Sequence, residues 1–384
     1  MSTNFVARAV HCVRSSDECL DFRDAWDEIL AGQNSAIEQL DFTAGFDWTM
    51  SLWRTHLRSA DQEVYVLRDG SNTKAILPLY RFQKRVRGMP CRTVAPFPEL
   101  YGGRTGFLLS GNHHLEILEH VFAKVQEYGR WDALMVTLVE GSGHEQDFLA
   151  LAARQDWKYF VLSEQRSPYF LFLDTWANHF ASLPKKLRST MRNGEKRLNE
   201  KGHLEYRECR SPAEVADFNM AVETVERDSW KAAAGTSIAS DPVHDAFHRD
   251  LAIRAAESGH FSGHLLLLNG QPIAYLMGLL DAGVFLDLKE SYCASFRETS
   301  PAHVLKYFAF PRLYERGTRV YDFMGKCEEY KLKWTDKIYC RRTYLALSNT
   351  WRGKAASLLV RYAAKREPHA AQTAKTMPTT QNEV

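Results

Sequence analysis

The sequence has no apolar run near the ~18 consecutive residues that a membrane span requires, so no spanning helix is expected. It also has no C-x-x-C pair. Its seven cysteines, Cys12, Cys19, Cys91, Cys209, Cys293, Cys327 and Cys340, are scattered along the chain. Zinc ribbons and dithiol redox sites need close pairs, and an odd, dispersed set reads as free thiols in a reducing compartment. Net charge is nearly lacking, at +2. Nothing global therefore points to nucleic acid, and any basic site must be local. No G-x-S-x-G, P-loop or G-x-G-x-x-G occurs, so those motifs identify no hydrolase, triphosphatase or dinucleotide enzyme here. His244 and His248 lie four apart on a predicted helix, but Asp-Ala-Phe stands between them and no third ligand is evident, so no metal is expected. The opening residues, MSTNFVARAVHCVRSSDE, lack the apolar core of a secretion signal. A soluble, cytoplasmic protein is the expectation.

What is present is material for two cores. A chain of 384 residues, 45% hydrophobic and 12% aromatic, exceeds the usual single domain. Cys19, Phe22, Trp26, Ile29 and Leu30 recur at helical spacing, as do Trp48, Leu52, Trp53, His56 and Leu57. Strands are predicted at 63–68 and 74–82 around an Asp-Gly-Ser-Asn turn, a helix over 113–128 and a strand over 132–139. The Pro- and Gly-rich stretch 94–109 reads as irregular. After a short strand at 170–173 and a basic helix over 185–201, the pattern returns. Ser211-Pro212-Ala213-Glu214 is a capped helix start, and a further helix covers 242–258. Strands at 261–268 and 272–280 flank an Asn-Gly turn. A strand over 284–292, a helix over 301–316 ending at Gly317, and strands at 319–323 and 340–347 complete the second half. Both halves thus read as helices, a hairpin, a helix and a strand, a weak internal repeat of an α+β unit. A basic amphipathic helix over 351–366 and a polar tail follow.

Two clusters carry chemistry. In VYDFMGKCEEYKLKW, 320–334, an apolar strand delivers Asp322 and stops at Gly325; Glu328, Tyr330 and Lys331 follow in a charged turn. A carboxylate at a strand end can take a proton from an amine, and a lysine there can neutralise a developing oxyanion. Upstream, Arg297-Glu298-Thr299-Ser300-Pro301-Ala302 runs into a helix whose first N–H groups and dipole suit a phosphate. The same residues also make an ordinary capped helix, with Ser300 as N-cap and Pro301 as first residue. The basic KKLRSTMRNGEKRLNEK segment, 185–201, suits CoA phosphates, an acidic polymer or tRNA, or is a solvated face. Its lack of aromatics argues against base stacking.

Four blocks in order resemble the GNAT-like acetyltransferase domain of the CelD (cellulose biosynthesis protein) family, also called BioF-like acetyltransferase domains and related to FemABX peptidyltransferases. They are LPKKLRSTMRNGEKRLNEKG, DSWK at 228–231, LLLNGQPIAYLMGLL with the loop before SPAHVLKYFAF, and YDFMGKCEEYKLKW. The resemblance covers about 25–347. Ser300 replaces the central Gly of the family's R/Q-x-x-G-x-G/A loop, and Gly325 stands one place earlier than the family's Gly, where Lys326 is found.

The resemblance implies an α+β tandem of two GNAT-like domains, 1–175 and 176–348, before a basic helix and tail at 349–384. It implies an acyl-CoA, such as acetyl-CoA, as co-substrate, an amine acceptor and no permanent cofactor. Arg297, Ser300 and Ala302 match the donor phosphate loop; Asp322, Glu328, Tyr330 and Lys331 match the terminal motif. The backbone of Leu288, Lys289 and Glu290 would stabilise the oxyanion, with Asp322 or Glu328 assisting deprotonation. Trp230, Lys231, Tyr101 and Arg104 are the expected acceptor contacts. An aminoacyl-tRNA-dependent peptidyltransferase and a non-catalytic accessory protein of polysaccharide biosynthesis are the alternatives.

Overall fold

The computed structural model describes residues 9–33, 45–56, 61–97, 106–173, 175–229 and 241–366. Trp230, Lys231, Tyr101 and Arg104 lie outside these residues. The first half begins with β1 (Ala9–Val13), α1 (Ser16–Cys19), α2 (Arg23–Gln33) and α3 (Phe46–Thr55). Strands β2 (Asp61–Asp69), β3 (Asn72–Val86) and β4 (Met89–Pro96) form a meander, with β5 (Leu108–Leu109) on β3. Then come α4 (His114–Tyr128), β6 (Ala133–Val139), α5 (Gly143–Arg154) and β7 (Lys158–Leu171). The second half holds α6 (Trp176–Ser182), α7 (Lys185–Asn199), β8 (Leu204–Cys209), α8 (Pro212–Arg227) and α9 (Pro242–Glu257). It continues with β9 (Phe261–Leu268), β10 (Gln271–Asp281), β11 (Val284–Tyr292), α10 (Pro301–Glu315), β12 (Val320–Asp322), β13 (Ile338–Leu347) and α11 (Trp351–Arg366).

This is an α+β fold: one mixed sheet, flanked by helices, runs through both halves in the order β1-β2-β3-β4-β6-β13-β7-β12-β11-β10-β9-β8. Each half contains one parallel pair, β4 with β6 and β11 with β12. The other adjacent strands are antiparallel, and four of these pairs, β2–β3, β3–β4, β9–β10 and β10–β11, are joined by short hairpin turns. Asn269 and Gly270 both take positive φ, 51° and 77°, the geometry that makes Asn-Gly a two-residue hairpin turn. The α8 start carries the expected capping box between Ser211 and Glu214.

Three differences from the sequence reading bear on the site. The 94–109 stretch is not wholly irregular, since Val94 to Pro96 complete β4. Strand β7 is 14 residues long, not a short strand at 170–173. Its outer part alternates little in hydrophobicity because much of it is exposed, so period-2 reasoning misses it. Finally, β13 lies late in the chain yet pairs with β6 and β7, within the sheet of the first half.

Apolar residues of alternate β9–β12 positions separate onto two faces. Leu265, Tyr275, Met277, Leu279 and Leu286 pack against α8 and α9. Leu266, Ala274, Leu276, Phe285 and Tyr321 pack against α6, α7 and α10. Among the described residues, no helix is long and apolar enough to cross a membrane.

Candidate active site

Strands β11 and β12 pair for only three residues, Val284↔Val320, Phe285↔Tyr321 and Leu286↔Asp322. Beyond that point β12 ends, and β11 continues from Asp287 to Tyr292 paired with β10 but, among the described residues, with no strand on its other edge. An unpaired strand edge is a row of N–H and C=O groups able to take an extended ligand. Just past the fork, β11 bulges. Gly278 faces Asp287 and Met277 faces Lys289, leaving Leu288 as the extra residue. Leu288 packs on the α8–α9 face. The expected oxyanion strand, Leu288 to Glu290, therefore begins on a bulge at the mouth of the fork.

The loop after β11 is a 3-10 turn, Ala294–Thr299, leading into α10. Arg297 is exposed, and Ala302 is half-buried in the first turn of α10. Ser300 occupies the N-cap position, as expected, but makes no side-chain cap bond and adopts a left-handed conformation, φ 52° and ψ 54°. A residue without a Cβ is most at ease there, yet the sequence supplies serine. Asp228 and Ser229 at the end of α8 tie this loop down. The Ala294 N–H donates to the Asp228 carbonyl (2.7 Å), Ser295 Oγ donates to Asp228 Oδ2 (2.8 Å), and Ser229 bridges Cys293.

The basic helix α7 lies against the same loop. A Cβ at Gly194 would come within 2.3 Å of the Thr299 carbonyl oxygen and 2.7 Å of Val304 Cγ2, so only glycine allows this approach. Arg197 donates to the Glu298 carbonyl at 3.3 Å. Lys185, Lys186, Arg192, Lys196 and Arg197 are exposed. Leu187, Met191, Gly194 and Leu198 form the buried face, as the helical spacing predicts.

The terminal motif divides into separate parts. Asp322 is buried; its Oδ1 accepts from the Met324 N–H (2.8 Å), and the Tyr339 hydroxyl reaches both carboxylate oxygens (3.2 and 3.1 Å). It thus holds the turn in which Met324 and Gly325 both take positive φ. Lys331 is also buried, and Nζ donates to the carbonyls of Met324 (3.0 Å) and Lys326 (3.2 Å) while pairing with Glu328 at 3.3 Å. These contacts engage its three donors inside the turn. Glu328 remains more than half exposed. Tyr330 is half-buried beside it, its hydroxyl pushed well above the usual range by burial and then by the charges of Glu290 and Asp287.

A cluster not singled out in the sequence fills the α10 side of the fork. Lys306 Nζ lies 2.6 Å from Glu290 Oε2 and 3.6 Å from Asp287 Oδ2, and the Tyr321 hydroxyl donates to Asp287 at 2.7 Å. The rings of Phe323, Trp334 and Tyr321 surround the ammonium at 5.2, 5.8 and 5.9 Å. Burial, then the neighbouring charge of Glu290, raises the Asp287 carboxyl to about 6, with Lys306 opposing. The Glu290 side chain thus belongs to this ion cluster. Its sequence signal was a lone lysine in VLKYFAF and a lone aspartate in VFLDL, charges where a buried face should be apolar. On the opposite face, Glu226 and Tyr275 form a second buried polar pair.

Comparison with known proteins fits this geometry. Residues 185–332 match the family described as Acetyltransferase (GNAT) domain. The class that this domain and fold define is the acyltransferases. No curated protein matches the sequence. Among solved structures, FemX is similar with a TM-score of 0.59 at 10% identity, over 88% of this chain and 96% of that one. The C-terminal domain of a putative lysylphosphatidylglycerol synthetase from Agrobacterium fabrum gives 0.53 at 14%, over 91% and 97%. A tandem GNAT protein from the clavulanic acid biosynthesis pathway gives 0.50 at 12%, over 88% and 98%. At such identities the likeness is one of fold, and the fold is that of tandem GNAT proteins.

Proposed function

We propose that the protein is a cytoplasmic N-acyltransferase that moves an acyl group from acetyl-CoA or another acyl-CoA to the amine of a small molecule, sugar or cell-envelope precursor. The observation that carries this reading is the fork between β11 and β12, with its bulge at Leu288 and the α10 start at its mouth. The pantetheine arm lies along the free edge of β11, and the diphosphate meets the α10 N-terminus and Arg297. The thioester carbonyl sits by the bulge, where backbone N–H groups stabilise the oxyanion. Catalysis is mainly positioning of the two reactants. Asp322 and Lys331 fix the Met324–Gly325 turn that forms the other wall of the fork. The 1–175 and 176–348 segments act as two GNAT-like units that share one sheet.

The closeness of α7 to the donor loop favours a second reading, in which its exposed cations receive the acceptor stem of a charged tRNA and the protein is a Fem-like aminoacyl-tRNA-dependent peptidyltransferase. Release of free CoA thiol from acetyl-CoA and longer acyl-CoAs is measured with a panel of primary amines, with and without RNase. Amine-dependent, RNase-insensitive thiol release is the expected result. Transfer only from charged tRNA, abolished by RNase, would replace the first reading by the second.

A further inference from the structure

We propose that Glu226 receives the acceptor's amine, so that the acceptor arrives as a primary ammonium on the α8 face of β11. This rests on the acyl-transfer reading above. Glu226 is in the last turn of α8 and only 1% exposed. One carboxyl oxygen, Oε1, accepts from the Tyr275 hydroxyl at 2.5 Å. The other, Oε2, is buried with no hydrogen-bond partner among the described residues. A buried carboxyl oxygen left unmatched is costly, and such groups are retained where something else supplies the donor. Ser291 Oγ is a second such atom, 2% exposed and also without a partner among the described residues. Ser291 stands directly across the β10–β11 ladder from Tyr275, so their side chains share a face, and Lys289 opposite Met277 lies on that face too.

Position adds to chemistry. Ser229, one turn beyond Glu226, bridges Cys293, two residues beyond Ser291. The α8 end and the β11 end are therefore pinned together at the root of the donor loop. Glu226 and Ser291 form the walls of one corner, three residues along β11 from the bulge at Leu288. An ammonium brings three N–H donors to a corner with two unmatched oxygens. Asp322 lacks this property, because both of its oxygens already accept hydrogen bonds.

In the reaction, Glu226 Oε2 takes one proton from the R–NH3+ group. The freed lone pair attacks the thioester carbonyl carbon, forming the C–N bond and an oxyanion. Collapse breaks the C–S bond; the departing thiolate takes the second nitrogen proton, leaving amide and CoA thiol. The proton on Glu226 then returns to solvent.

The test compares wild type with E226Q, which keeps the shape and the Tyr275 bond. Transfer from saturating acetyl-CoA to propylamine, ethanolamine, glucosamine and spermidine is followed by mass spectrometry, and acetyl-CoA binding by thermal shift. The expected result is a full acetyl-CoA shift in both proteins and a transfer rate in E226Q lower by roughly 100-fold or more, the usual contribution of a positioned base. Transfer by E226Q within twofold of wild type overturns the proposal, as does a wild type that neither acylates nor is stabilised by any of these amines. A wild type without an acetyl-CoA shift would instead overturn the donor reading on which the proposal rests.

Discussion

Ser300 holds a left-handed backbone that costs a residue with a Cβ roughly 1–2 kcal/mol. S300G should therefore stabilise the fold by about 1 kcal/mol, with acyl-CoA binding retained; denaturant unfolding measures the first and thermal shift the second. The opposite sign is expected at Gly194, where a methyl group would meet the Thr299 carbonyl. G194A should cost about 1–3 kcal/mol by overpacking and weaken donor binding by displacing the loop. Asp287 gives a pH signature. Its folded carboxyl is raised to about 6 from an ordinary 3.8, so between those values the folded state holds more protons than the unfolded one. Its contribution to stability therefore falls as pH rises through this window. The stability of D287N relative to wild type should accordingly improve between pH 4 and pH 6, and chemical unfolding at several pH values reads this directly. A relative stability that stays flat would mean that Asp287 titrates in its ordinary range.

At the scale of elements, the strands and helices of the second half were legible because their periodicity, caps and turns agree. The α8 capping box, the Asn-Gly hairpin and the α10 stop at Gly317 are examples. Strand β7 and the fork were not legible, because exposure blurs alternation and a divergence of two strands leaves no mark in either sequence. The ion cluster around Lys306 was visible as misplaced charges, but its partners come from three separate elements. Helix α6 carries a further test. His179 is buried among Phe170, Phe172 and Trp176, and neither ring nitrogen has a hydrogen-bond partner among the described residues. Burial lowers it to about 4 from an ordinary 6.5, so the unfolded chain binds the proton first as pH falls. The protein should lose roughly 3 kcal/mol from this group between pH 6.5 and pH 4, and H179F should remove that part of the acid sensitivity. His264, lowered to about 3 by burial, adds loss over the same range in both proteins.

At the scale of the whole molecule, the two halves are not sequential beads. Strand β13 returns from the end of the second half to fill the gap between β6 and β7. A chain ending at Lys337 would expose two long strand edges and should aggregate, as size-exclusion chromatography would reveal. A monomeric, cooperatively unfolding truncation would show that β13 is dispensable. The repeat seen in the sequence is thus real as a pattern of elements, but a cut at residue 175 divides a shared sheet. That arrangement sets β7, from the first half of the chain, against β12, one arm of the fork.

The most direct test of the central claim is thermal unfolding of the purified protein with acetyl-CoA and longer acyl-CoAs, with no acceptor present. Ligand at ~100 times its dissociation constant adds about 2.7 kcal/mol of stability. A fork that holds the donor predicts a clear upward shift that shrinks in Arg297→Ala. No shift with any acyl-CoA would contradict an acyl-CoA donor site between β11 and β12.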